Sequence, residues 1–435
     1  MTELTDSQAK CPMSVAEVDL FASGAQEYWF EAYRLLQKDA PVLRIPGGGG
    51  RPGADAFILT KYEDISRVVR DPKRFTVGMD SGFQEHEKDV FEDSGFGDVA
   101  KATSTLRPTV AQHMQHRRQL TDPWVGATGA PQHREMAAQV ANDLMDRWIG
   151  AGEVEFVKGF AAPMPQTIIT KILGFPLEDM PQLKRWEEAQ VRRFVYGDSH
   201  LSLLSEDEER ENAQALVEFQ RYIQARIDEK RERPQDDMTS YLTQVAYGDE
   251  ARPLTDAEII NVVYTMHIGG NETTQYALTS EALLLAQNPA LFAELKADRS
   301  KVKFFVEEAL RLYAPTQGMS SRSVAEDVEI RGVPIPKGSL LHLRYGAGNR
   351  DEENFPDANS VNLNRRNAGR HLTFSQGARN CPGAGLSRLE QTIAVNVLLD
   401  RLDSLALAPG KNDLTHQPGI MLGLWELHLT YTAAG

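Results

Sequence analysis

The sequence predicts a mainly α protein with a small β portion, folded as one large domain. Three observations carry this. Helical patterns dominate from residue 109 onward. Short strand-like runs come from both ends of the chain, which puts them in shared sheets. No internal repeat or long linker divides the 435 residues.

Residues 1–25 read as a flexible tail and 26–435 as a single domain. Residues 26–39 predict a helix. APVLRI (40–45) and DAFILT (55–60) predict two strands joined by the turn PGGGGRPG. KYEDISRVVR (61–70) is helical and stops at Asp71-Pro72. Residues 75–107 form a long Gly-rich connection holding Phe83, Phe91 and Phe96, and loops of that length usually serve function. Helices follow over 109–120, 131–149, 164–174, 179–195, 206–233, 236–246, 255–287, 289–298, 301–313 and 382–400. Ser205-x-x-Glu208 and Thr255-x-x-Glu258 are capping boxes. Further strands are expected at 327–335, 339–344 and 424–431.

Composition narrows the class. The chain is 41% hydrophobic and 25% charged, enough for a sizeable core. A formal charge of −15 argues against nucleic acid and against anionic membrane as partners. No apolar run approaches the roughly 18 residues that span a bilayer. The N-terminus lacks a signal-peptide layout, so a cytoplasmic protein is expected. Cys11 and Cys381 are too far apart in sequence to suggest a disulfide framework, and neither has a second cysteine nearby for structural zinc.

The helix expected at 255–287 would be about 50 Å long. Its middle reads IGGNETTQ. Paired glycines cost about 1 kcal/mol each in a helix interior. Thr273 and Thr274 weaken it further. Either a neighbouring helix packs closely there, or the helix is distorted to make room for a ligand, pointing a carboxylate and a hydroxyl at it.

Cys381 reads as an N-cap, with Pro382 at the first helical position and Gly383 and Gly385 permitting close approach. Backbone N–H groups, the helix dipole and Arg379 would favour a thiolate. That environment suits a nucleophile or a single metal ligand. A plain buried cysteine is the alternative.

FSQGARNCPG (374–383) resembles the haem-binding loop of the bacterial soluble cytochrome P-450 family. Glu308-Ala-Leu-Arg311 is similar to that family's Glu-x-x-Arg pair, and GGNETT (269–274) to its oxygen-activating stretch. Asn349-Arg350-Asp351 and Phe355-Pro356 fall in register with them. The resemblance implies a triangular-prism fold with haem between the long central helix and the cysteine helix. It implies haem b (iron protoporphyrin IX) bound through Cys381, whose thiolate favours O–O cleavage. Phe374, Gly377 and Gly383 would shape the loop. His113, Arg117, Arg322 and Arg379 would hold the propionates, leaving His116 and Arg118 solvated. Glu272 and Thr273 would be the acid–alcohol pair that protonates reduced O2. Glu308 and Arg311 would be structural. The family's third member of that network is missing at Ser360, and Arg365 or Arg366 is the expected replacement.

The resemblance further implies a monooxygenase for a small hydrophobic organic substrate, such as a terpenoid, steroid or aromatic compound. Thr265, Ile268, Gly269, Gly318, Met319, Ile420 and Met421 would line its pocket, with Thr265 and Gln317 as polar anchors. Electrons would come from NAD(P)H through a separate ferredoxin and its reductase. Arg365, Arg366, Arg370, Arg379 and Arg388, against the single acid Glu390, form a basic stretch that could dock an acidic ferredoxin. Cys11 is incidental. A non-catalytic haem-thiolate sensor and a peroxide-driven enzyme are the alternatives, and Glu272-Thr273 speaks against both.

Overall fold

The computed structural model describes residues 11–49, 53–76, 85–92, 106–107, 109–192, 204–318, 320–417, 419 and 421–435. Phe83, Phe96, Met319 and Ile420 lie outside the described residues.

Most expected helices form, trimmed by a residue or two at their ends. Both capping boxes are made: Ser205 heads Glu206–Glu232 and Thr255 heads Asp256–Gly270, each with reciprocal bonds to its glutamate. The pattern at 109–120 yields a helix, Val110–His116, that runs on into a π turn, Arg117–Thr121. Such wide turns recur beside functional sites.

The strands are β1 (Val42–Ile45), β2 (Ala56–Leu59), β3 (Phe75–Thr76), β4 (Glu153–Glu155), β5 (Ser320–Val324), β6 (Val328–Ile330), β7 (Val333–Ile335), β8 (Leu340–Leu343), β9 (Leu402–Leu407) and β10 (His428–Ala433). Their orders are β1-β2-β8-β5-β3, β4-β10-β9 and β6-β7. The first sheet therefore joins the two ends of the chain, as expected. Its β1–β2 hairpin pairs Val42 with Leu59 and Ile45 with Ala56. The single strand expected at 327–335 is instead a hairpin, β6–β7. It reverses at Arg331-Gly332, both at positive φ, a geometry suited to tight hairpins. Strands β3, β4, β5 and β9 lack an alternating signal because they are short or polar, as in SSRSV.

The expected tail needs correction. Leu20 is buried, Trp29 donates to its carbonyl at 3.0 Å, and Phe21 stacks under the Arg344 guanidinium. The packed body begins before residue 26, because these aromatic contacts bury apolar surface that helical periodicity does not report.

The largest core is helical. Through it runs the central helix, in two pieces, Asp256–Gly270 and Glu272–Gln287, broken at Asn271. The second piece is buried on nearly every side, including Tyr276, Leu278, Leu283 and Leu285. Its buried set also includes polar side chains, Gln275, Thr279 and Glu281 among them, so the helix is enclosed on all faces without being uniformly apolar. At the break the Thr273 hydroxyl donates to the Gly269 carbonyl at 3.0 Å, satisfying an acceptor beside the break. The break therefore stands at GGNETT, the stretch where distortion was expected.

The cysteine helix, Ala384–Arg401, packs against this second piece through Thr274 and Ser387. Its N-cap is Gly383 rather than Cys381. Pro382 and Gly383 form a lead-in turn, so the cysteine stands just outside the helix. A Cβ on Gly385 would lie 2.5 Å from the Gly126 carbonyl carbon. Only glycine lets these backbones meet.

Candidate active site

Cys381 sits between the cysteine helix and the broken central helix. Its backbone N–H donates to the Phe374 carbonyl at 2.8 Å, closing the loop 374–381. Gly377 holds that loop's turn at φ +75°, against the Val69 carbonyl. Burial pushes the Cys381 thiol up. The Gly383 and Ala384 N–H groups and the Arg117 and Arg388 charges pull it back down. The donors thus match expectation, but burial outweighs them for the bare thiol. Metal coordination deprotonates a thiol outright.

Two cavities are lined by the sulfur's residue and a third adjoins them. One, of about 290 Å³, is lined by Cys381, Phe374, Thr273, Gly269 and Arg379 among others. A second, about 160 Å³, shares Cys381, Phe374, Gly269 and Thr273 and adds Thr265 and Met266. A third, about 270 Å³, shares Thr265 and Met266 and opens onto His113, Arg117, Arg322 and Arg379. Together they form a slot with a sulfur in its floor, a hydroxyl on its wall and cations at one end.

The cationic end is short of anions. His113 is buried, neither ring nitrogen has a partner, and burial with neighbouring arginines lowers it to about 4. Arg117 donates to Asp122 at 2.7 Å and to the Asn380 carbonyl at 2.8 Å. His116 corrects its expectation: it is buried, stacks on His113 at 6.4 Å, and burial lowers it to about 3. Residues three apart share a helix face, which explains the stacking. Arg118 is exposed as expected. Arg107 lines the same cavity and its signal was missed, because it lies in the irregular connection before Val110.

These features fit one group. An iron porphyrin would be held by the Cys381 sulfur, with room for it beside Gly269, and its propionates would be held by the four expected cations. The neutral His113 ring has one N–H donor, buried without a partner, that such a carboxylate would satisfy.

The acid–alcohol pair diverges. Thr273 lines the slot, whereas Glu272 is not among its lining residues. Adjacent helical residues point about 100° apart, so one face cannot carry both. Glu272 turns toward Lys184, 3.9 Å away on the covering helix Met180–Arg192. Lys184 also contacts Glu187 at 3.2 Å, and the Asn271 amide donates to Glu187. Burial raises Glu272, partly offset by Lys184. Burial raises Glu187 to about 8, with Lys184 opposing and Glu272 reinforcing. The break in the central helix is thus tied to the covering helix through a buried carboxyl cluster that single-sequence reading did not find.

Of the expected pocket residues, Thr265 and Gly269 line the slot. Ile268 packs against the helical core. Met421 packs on Tyr276. A Cβ on Gly318 would meet Arg344 at 2.8 Å. Gln317 is fully buried and spent, accepting from Tyr33 at 3.1 Å and donating to Ala314 at 2.7 Å. Phe91 packs on Ala213 and Leu216. Met266, one residue beyond Thr265, is the added wall.

Glu308 and Arg311 are fully buried and bonded at 2.7 Å, and Arg311 also holds the carbonyls of Asn349, Ala358 and Ser360. Arg365 supplies the missing third member. That spends one member of the expected basic patch. Arg379 faces the cavity and Arg388 pairs with Glu307 at 2.5 Å, stacked 4.5 Å over the Phe374 ring. Arg366 and Arg370 stay exposed, and exposed Arg70 abuts the Gly377 turn. Folding therefore leaves Arg366 and Arg370 as the exposed members of the expected patch.

Comparison with known proteins agrees with this chemistry. The family described as Cytochrome P450 matches residues 51–427. Cytochrome P450 107B1 of Saccharopolyspora erythraea is 30% identical over 402 residues, covering 90% of this chain and 92% of that protein. Cytochrome P450 monooxygenase PikC of Streptomyces venezuelae is 30% identical over 399 residues, covering 90% and 88%. The structure of P450BioI with a hexadec-9Z-enoic acid ligated acyl carrier protein superposes with TM-score 0.79 at 26% identity, covering 93% of this chain and 99% of that one. Among the described residues no helix is long and apolar enough to cross a membrane. The chain belongs to the cytochrome P450 family and is a haem-dependent monooxygenase.

Proposed function

We propose that this chain oxidises a small hydrophobic organic substrate in the slot between Cys381 and Thr273, with electrons from a ferredoxin-type donor. The observation that carries this reading is that the Cys381 sulfur and the Thr273 hydroxyl line the same cavity. Bound haem supplies the iron at which O2 is reduced and cleaved. Cys381 would hold its iron, and His113, Arg117, Arg322 and Arg379 would hold its propionates. Thr273 holds a proton at Oγ1 on the slot wall. Glu272, whose carboxyl burial pushes up, resupplies protons from the side of the covering helix. Thr265, Met266 and Gly269 present a largely apolar surface to the substrate. The packed chain acts as one catalytic domain in the cytoplasm.

Arg70, Arg366 and Arg370 mark the docking face for the donor, above the loop that carries the thiolate. In a chain of net charge −15, a local basic face selects an acidic partner. The reduced protein under carbon monoxide tests the site: a thiolate-type Soret band is expected, and a globin-type band would overturn it. Turnover with ferredoxin should fall steeply with rising salt, and a flat response would overturn the docking face.

A further inference from the structure

We infer that the substrate carries a carboxylate, and that Arg107 binds it. This rests on the haem reading above. Two propionates present two carboxylates, and one guanidinium can match each bidentately. The cationic cavity holds four guanidiniums, those of Arg107, Arg117, Arg322 and Arg379, and no acidic side chain among its lining residues. Arg117 is already held by Asp122. Among the described residues Arg107 has no such partner. Its Nε is buried without an acceptor, and the ionisable groups near it are the Arg379 guanidinium, the Tyr247 phenol and the buried His113 and His116 imidazoles, none of them an acid. A guanidinium so placed calls for an anion beyond those of the cofactor.

Position identifies which anion. Arg107 shares its cavity with Asn261, Thr265 and Met266 of the central helix. Thr265 and Met266 also wall the chamber that contains Thr273 and Cys381. A ligand whose carboxylate meets Arg107 therefore runs its apolar body past Thr265 and Met266 toward the reacting end. His116, buried and neutral, stands in the same cavity and offers a second donor. The substrate class is an amphiphilic monocarboxylate.

The test uses the haem-loaded protein and a series of C8–C14 carboxylic acids with their methyl esters. Binding is read by calorimetry and by the shift in haem spin state. Acids are expected to bind at least about tenfold tighter than their esters. In Arg107→Gln that preference disappears, while haem content and the reduced carbon monoxide band stay unchanged. Arg107→Lys keeps part of the preference. Equal binding of acids and esters by the unmodified protein, or no binding of either, overturns the proposal without any variant. Loss of haem from Arg107→Gln also overturns it, by making Arg107 a propionate ligand. A globin-type carbon monoxide band would instead sink the underlying haem-thiolate reading.

Discussion

Arg365 Nε lies 3.0 Å from Glu308 Oε1, both side chains almost wholly out of solvent. Arg365 also donates to the carbonyls of Pro356 and Asp357, at 2.8 and 3.2 Å. It thus joins the segment after Phe355 to the buried Glu308–Arg311 pair from five positions beyond Ser360. Burial would raise Glu308. Arg311, the Asn362 N–H and Arg365 outweigh it and hold the carboxyl below its ordinary range.

Arg365→Ala is therefore expected to destabilise the protein by about 2–4 kcal/mol, since it strands two carbonyls and part of a buried charge. Arg366→Ala, at an exposed neighbour, should stay within about 0.5 kcal/mol. Denaturant unfolding of the two variants checks this, and equal effects would contradict the assignment.

Thr273→Ala should lower product formed per NAD(P)H consumed and raise hydrogen peroxide release. Glu272→Gln should slow turnover by about 100-fold, the usual scale for a lost proton donor. Stopped-flow and product assays read both. Unchanged coupling in Thr273→Ala would remove the hydroxyl from the chemistry.

Glu307 gives the acid limb of stability. Burial would raise it, but His371 and Arg388 bring it to about 2 from its ordinary 4.5. A depressed carboxyl contributes stability above its unfolded value and loses it as pH falls toward its folded value. The loss should run from about pH 4.5 down to about pH 2 and total about 3 kcal/mol. Glu307→Gln should flatten that limb in pH-dependent unfolding.

Gly385→Ala should fail at packing, because the added carbon would sit 2.5 Å from the Gly126 backbone. A cost of about 1–3 kcal/mol is expected, together with lower haem retention as the cysteine helix shifts. Thermal unfolding and haem content measure it. Gly383→Ala, whose new carbon would lie 4.0 Å from the Cys381 sulfur, should cost less.

The helices, both capping boxes, the weak point at GGNETT and the cysteine loop are legible in the amino-acid order. Each depends on residues within a few turns of one another, where spacing and backbone preference decide the outcome. Packing alone reveals that Arg365 completes the Glu308 network, that Glu272 faces Lys184 and not the slot, that His116 is buried, and that three arginines of the expected basic patch serve inside the protein. These outcomes turn on which charge meets which partner across long stretches of chain. Burial makes an unpaired charge costly, so packing selects the partners, and local sequence does not record that choice.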